Sequence, residues 1–268
     1  MLQETSYSNV TVIDSNRLAQ GNLLRMRDEN TSVEDFLRLG QSIALHLLVE
    51  VAPDLPIAGE TTVHTLTGCD VTGSAAGPVV VVSIDGAGRM FAEPIVEELK
   101  LDSTRAVYFG YADIKRVNEG HSSPDVREIN IPIVPGAMYL ICDPMLATAG
   151  TAIAVISYLV AQGVSLENII FLCLIAAPEG LHNIFLMNLI LRRIVAVAID
   201  KKLNEKNWII PGLGDAGDRA LGVVRKKLQQ LFGTSGEVPP VSTAGLSSYC
   251  VSGPPSKAYD YNFENEHR

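Results

Sequence analysis

Residues 139–151 read Tyr139-Leu140-Ile141-Cys142-Asp143-Pro144-Met145-Leu146-Ala147-Thr148-Ala149-Gly150-Thr151, and they run directly into the apolar stretch Ala152-Ile153-Ala154-Val155-Ile156. An apolar run ends in a carboxylate, a loop of small and hydroxyl residues follows, and apolar positions then resume at helical spacing. That succession predicts a buried strand, a turn and a helix, the opening of a βαβ unit. The first amides of such a helix favour an anion, and Thr148 and Thr151 add hydroxyl donors. Ala149 and Gly150 let a phosphate approach the backbone closely. Asp143 faces the same place but suits hydroxyls or a metal better than phosphate. Phosphate beside vicinal hydroxyls describes a ribose 5-phosphate. A helix N-cap with an ordinary turn also fits these residues. The loop is not a Walker A motif, because it has no Gly-Lys-Ser/Thr.

Outward from this unit, short apolar runs at 79–84, 106–111, 169–175 and 194–199 predict further strands, buried on both faces. Helical patterns lie between and beside them, from Gly88 to about Lys100, over 152–162 and over roughly 180–191. Ser32-Val33-Glu34-Asp35 has capping-box form and opens an amphipathic helix reaching about Glu50. Alternating strands and helices predict an α/β fold with a parallel sheet and right-handed crossovers. From Gly233 the chain turns rich in Ser, Gly and Pro. Residues 1–232 are therefore expected to form a single domain with an N-terminal helical segment, and 233–268 a flexible tail.

Composition narrows the function. Hydrophobic residues make up 47% of the 268, enough for a large core, and the net charge is −9. That balance argues against general nucleic-acid binding, which needs cations to replace phosphate counterions, but leaves room for a small phosphorylated ligand in a local pocket. Cys69, Cys142, Cys173 and Cys250 form no C-x-x-C pair, and Cys142 and Cys173 sit in apolar runs as buried thiols. No apolar stretch is long and unbroken enough to span a bilayer, and the N-terminus lacks a secretory pattern, so a cytoplasmic protein without membrane partners is expected. The glycines of Gly86-Ala87-Gly88 do not make a dinucleotide fingerprint, since the third would fall at Phe91. No Gly-x-Ser-x-Gly or His-Glu-x-x-His occurs.

A second informative segment is Asn204-Glu205-Lys206-Asn207-Trp208-Ile209-Ile210-Pro211-Gly212-Leu213-Gly214-Asp215-Ala216-Gly217-Asp218-Arg219. Its glycines, proline and aspartates predict a turn-rich loop able to curl around something small. Fixed backbone N–H and C=O groups can read a planar imide. A purely structural turn fits the same residues.

Taken together, the two segments resemble uracil phosphoribosyltransferases. Asp143-Pro144-Met145-Leu146-Ala147-Thr148-Ala149-Gly150 resembles that family's motif for phosphoribosyl diphosphate (PRPP). Ile209 to Arg219 resembles its Pro-Gly-Leu-Gly-Asp-Ala-Gly-Asp-Arg uracil loop. The likeness runs from about Val10 to Gly222. It implies a phosphoribosyltransferase-like, Rossmann-like fold with an inserted hairpin or arm, here at about 115–131. It also implies a transferase that joins uracil to PRPP, giving uridine monophosphate (UMP) and diphosphate in pyrimidine salvage. On this resemblance Asp143, Pro144, Met145, Leu146, Ala147, Thr148, Ala149, Gly150 and Thr151 bind PRPP together with Asp215. Ile209, Gly214, Asp215 and Ala216 line the uracil, and Asp143 and Asp215 are the catalytic acids. Magnesium is expected to arrive with PRPP, because no carboxylate cluster forms a metal cage. The family implies a homodimer or homotetramer and leaves GTP binding open.

Two positions depart from the family. Gly86 and Ala112 stand where arginines that contact PRPP are expected. Two charge-assisted hydrogen bonds of roughly 1.5–3 kcal/mol each would then be missing. Arg89, Lys115 and Arg116 lie near enough in sequence to compensate, and Ala112→Arg looks the simpler restoration. A binding protein that keeps the base site and has lost the diphosphate site is therefore the alternative to an active transferase.

Overall fold

The alternation of strands and helices is present in the computed structural model, which describes residues 8–84, 86–115 and 125–220. The tail from Gly233, Arg116 and the tip of the expected hairpin lie outside the described residues. A short strand β1 (Val10–Val12) leads into α1 (Arg17–Arg27) and α2 (Val33–Val51). The Ser32 side chain accepts a hydrogen bond from the Asp35 N–H at 3.1 Å, as the capping pattern requires. Ser32→Ala should lower the unfolding free energy by about 1 kcal/mol, read as a shift in urea midpoint at constant slope. An unmoved midpoint would show that α2 does not depend on its cap.

An antiparallel ribbon follows, β2 (Ile57–His64) on β3 (Asp70–Ala76). Next come β4 (Val79–Ile84), α3 (Arg89–Leu99), β5 (Val107–Lys115), β6 (Asp125–Asn130), β7 (Met138–Cys142) and the two-residue β8 (Met145–Leu146). The remaining elements are α4 (Gly150–Ala161), β9 (Ile169–Ala176), α5 (Pro178–Leu186), β10 (Arg193–Ile199), β11 (Lys202–Leu203) and β12 (Ile209–Ile210). The main sheet runs β1-β10-β9-β7-β4-β5-β6, with β8 added beside the end of β9. Every pairing in it is parallel except that of β6 with β5. The α/β parallel-sheet expectation is met, and the β5–β6 pair is the expected hairpin insertion.

The sheet separates two cores. Val79, Val81, Leu140, Cys142, Leu172 and Val195 pack with α1, α2 and α3 on one face. Val80, Val82, Tyr139, Ile141, Phe171 and Ala196 pack with α4 and α5 on the other. Successive residues of a strand point to opposite faces, so a continuous apolar run is what a doubly covered sheet needs. Cys142 and Cys173 are free thiols inside this sheet, and burial pushes both well above the usual thiol range. Helix α5 is shorter than the sequence pattern suggests. It stops at Leu186 instead of near Leu191, because Asn188 turns left-handed at φ 53° and Leu191 folds into the core. Among the described residues no helix is long and apolar enough to cross a membrane.

Candidate active site

Neighbouring strands β4 and β7 send the chain in opposite directions. From β4 it crosses by α3 to β5; from β7 it crosses by α4 to β9 on the other face. A crevice opens outside the C-terminal ends of parallel strands where such crossovers diverge. Here it is a cleft of about 420 Å³, walled by Ile84, Gly86, Ala87 and Ile114 as well as by parts of both loops singled out in the sequence.

The first loop enters from β7. Asp143 is half-buried at the strand's end, and its Oδ1 accepts the Met145 N–H at 3.3 Å. The chain then runs beside β9, with the Ala177 N–H donated to Leu146 O at 2.8 Å and the Asn183 side chain to Thr148 O at 3.1 Å. Ala149 takes the left-handed conformation at φ 65° and no side chain caps the first turn of α4. The opening amides of that helix are thus left to the small recess formed by residues 143 and 145–152. Asp143, Pro144, Met145, Ala147 and Thr151 line the cleft, while Thr148, Ala149 and Gly150 line the adjoining recess. Leu146 is 1% exposed with its side chain in the core, so only its backbone is available. Close packing holds this loop from below. A Cβ on Gly180 would lie 2.3 Å from Ala147 O, so α5 can approach only with glycine there.

The second loop is a small hairpin followed by a turn. β11 pairs antiparallel with β12, and Asn204 Oδ1 accepts the Lys206 and Trp208 N–H groups at 2.9 Å each. The Leu203 N–H is donated to Glu179 Oε1 at 2.9 Å, which fastens the hairpin to α5. Ile209, Gly214, Asp215 and Ala216 all line the cleft, beside Trp208, which is 54% exposed. Asp215 also caps the helical turn over 216–220, its Oδ1 accepting the Asp218 N–H at 2.8 Å. Two residues behind the loop, Arg27 and Asp200, lie in stretches that resemble the family (24–28 and 198–206), but nothing in the sequence assigns either of them to the site. They bind each other and the backbone of Gly212.

The family model for uracil phosphoribosyltransferase matches residues 12–222. The chain belongs to that family. It is 33% identical over 223 residues to the uracil phosphoribosyltransferase of Paraburkholderia phymatum, covering 83% of this chain and 99% of that one. The corresponding protein of Paraburkholderia xenovorans is 32% identical over 222 residues, with the same coverage. Among solved structures, the AQ2163 protein from Aquifex aeolicus is similar with a TM-score of 0.69 at 29% identity, covering 80% of this chain and 98% of that one.

Against the uracil phosphoribosyltransferase pattern, the two departures have distinct geometries. Gly86 lines the cleft at φ +100°, a conformation that L side chains rarely adopt, although a Cβ there would meet no atom within 4 Å. Ala112 is fully buried against Ile84 and Ile129, and Ile114, two residues along β5, is the cleft-lining residue. Ala112→Arg is therefore not the simple restoration that the sequence suggests, because it would drive a guanidinium into an apolar core. Arg89 does not line the cleft. Its charge lies beside Glu93, whose carboxyl is raised by burial and partly lowered again by Arg89. The charged residues that line the cleft among those described are Asp143 and Asp215. No group of three or more His, Cys, Asp or Glu among the described residues could hold a metal ion.

Proposed function

We propose that the chain transfers the phosphoribosyl group of PRPP to uracil, forming UMP and releasing diphosphate. The observation that carries this reading is that one cleft is lined by Asp143, Pro144, Met145, Ala147 and Thr151 from the first loop and by Ile209 and Gly214 to Ala216 from the second. The recess under Ala147 to Thr151 suits the 5-phosphate, with the opening amides of α4 as donors. Asp143 accepts from the ribose hydroxyls. Backbone groups at Ile209, Gly214 and Ala216 hold uracil with its N1 toward the sugar, and Asp215 faces the PRPP side. As the bond from C1′ to the diphosphate oxygen breaks, the new bond to N1 forms and the N1 proton is released with the departing diphosphate, while the protein acts by positioning and electrostatics. Magnesium belongs to the substrate here, neutralising the diphosphate, since the described residues gather no cage for it.

A second reading is favoured by Gly86 and Ala112, since Gly86 holds a φ of +100° that L side chains rarely adopt and Ala112 is fully buried. In it the protein binds uracil or a nucleotide and turns over little. Calorimetric titration of PRPP with magnesium, alongside an assay for UMP, separates the two. UMP formation supports the transferase. Uracil binding without PRPP binding supports the binding protein, and binding of neither ligand removes both readings.

The same proposal carries a cytoplasmic homodimer or homotetramer, to be read by light scattering and fractionation. It also takes residues 1–232 as one domain, because the family match stops at 222. Truncation after Gly233 should leave the melting temperature within about 2 °C of the full chain, since a segment with few core residues stabilises little. A fall of many degrees would mean that the tail packs on the domain or a subunit interface.

A further inference from the structure

We infer that Arg27 and Asp200 are positioning residues for the base loop, fixing the backbone of Gly212 from behind the cleft. The inference rests on the reading of that loop as the uracil site. Arg27 closes the last turn of α1, and Asp200 follows the end of β10. Their side chains are only 20% and 6% exposed. The guanidinium grips the carboxylate in a fork, Nη1 to Oδ2 at 2.8 Å and Nη2 to Oδ1 at 2.7 Å. Arg27 Nη1 also donates to Gly212 O at 2.6 Å, while Asp200 Oδ2 accepts the Gly212 N–H at 2.7 Å. Both polar groups of one peptide residue are thus held by a single ion pair, which itself lines no part of the cleft.

Gly212 is the point where such a hold has most effect. It turns at φ +60°, and a Cβ on it would lie 2.2 Å from Ile209 O. It links Ile209 to Gly214, Asp215 and Ala216, and all four line the cleft. A second grip comes from the same corner of the N-terminal helices. Arg219 donates to Met26 O, to Asp28 O at 2.6 Å and to Leu213 O at 3.0 Å, and its guanidinium carbon sits 4.6 Å from the centre of the Phe36 ring. Residues 26–28 therefore hold the loop on both sides of its cleft-lining segment.

A buried ion pair is a weak net stabiliser, because desolvation offsets most of the attraction. Its geometric effect is larger. Recognition through backbone atoms cannot be repaired by a side-chain rotamer, and hydrogen bonds weaken steeply once misaligned. Arg27 and Asp200 should accordingly matter more for uracil affinity than for stability.

The test uses the full chain with three readouts: uracil affinity by quenching of Trp208, the chain's one tryptophan; melting temperature; and amide hydrogen exchange over 207–217. Asp200→Asn, nearly isosteric, should weaken uracil about tenfold or more and speed exchange over 207–217, while β9 and β10 stay protected. The exchanged pair Arg27→Asp with Asp200→Arg separates positioning from mere charge pairing. It restores the opposite charges, but an arginine at 200 cannot accept the Gly212 N–H. Melting temperature should recover relative to either single change, and uracil affinity should not. Recovery of affinity in the exchanged pair, or parental affinity and exchange in Asp200→Asn, overturns the inference. If the parent binds no uracil, the base-site reading falls, and loop exchange alone decides whether the brace exists.

Discussion

Gly88→Ala should cost the protein about 3 kcal/mol or more, a fall in melting temperature of about 6–12 °C for a chain of this size. A Cβ at Gly88 would lie 2.1 Å from Ile84 O, 2.7 Å from Cys142 O and 2.9 Å from Ile84 N. All three atoms are backbone, at the ends of two central strands, so no rotamer can absorb the clash. Either α3 lifts from the sheet or β4 and β7 part, and both movements open the cleft. Gly40→Ala is the useful contrast, since the three atoms nearest its Cβ would all belong to the flexible Met90 side chain. Its cost should be clearly smaller. A Gly88→Ala protein that melts with the parent would show that the start of α3 is not pinned between those strands.

Asp143→Asn should lower kcat/KM for UMP formation by about a hundredfold to a thousandfold, the range found when one electrostatic partner of a transition state is removed. The fold should persist. An asparagine oxygen can still accept the Met145 N–H that Asp143 Oδ1 now accepts at 3.3 Å, so the turn keeps its local bond. What disappears is the charge that, on the proposed function, faces the ribose hydroxyls and the developing cation at C1′. Melting temperatures within a few degrees, measured beside the kinetics, distinguish this from unfolding. Equal kcat/KM in the two proteins would remove Asp143 from the site.

The two loops that line the cleft are legible in the sequence because their signals are local. A strand ending in an acid before small residues, and a glycine-rich turn after a strand, need no knowledge of distant partners. The buried strands are legible for a similar reason, since double burial writes itself as a nearly continuous apolar run such as Val79–Ile84, interrupted only by Ser83. Long-range choices are not written that way. Arg27 and Asp200 stand 173 residues apart, and nothing near either position announces the other. The orientation of Ala112 depends on the register of β5 against β4, and a shift of one residue would have turned it to the other face. The ribbon of β2 and β3 is largely exposed and rich in Thr, Gly and Ser, so it lacks the apolar alternation that marks a strand.

The division of the core by the sheet gives the two halves of the cleft separate foundations. Ile209, Leu213, Ala216 and Ala220 root the base loop in the face covered by α1, α2 and α3. Leu146, Ala149 and Ala152 root the loop after β7 in the face covered by α4 and α5, while Met145 and Ala147 pack on the other face. Defects on opposite sides of a sheet share few partners and combine nearly additively. On the proposed function, drift in the residues under α2 would therefore act mainly on the hold of the base, and drift under α4 mainly on the hold of the sugar phosphate. A lineage carrying this fold can lose or retune one specificity while the other stays intact.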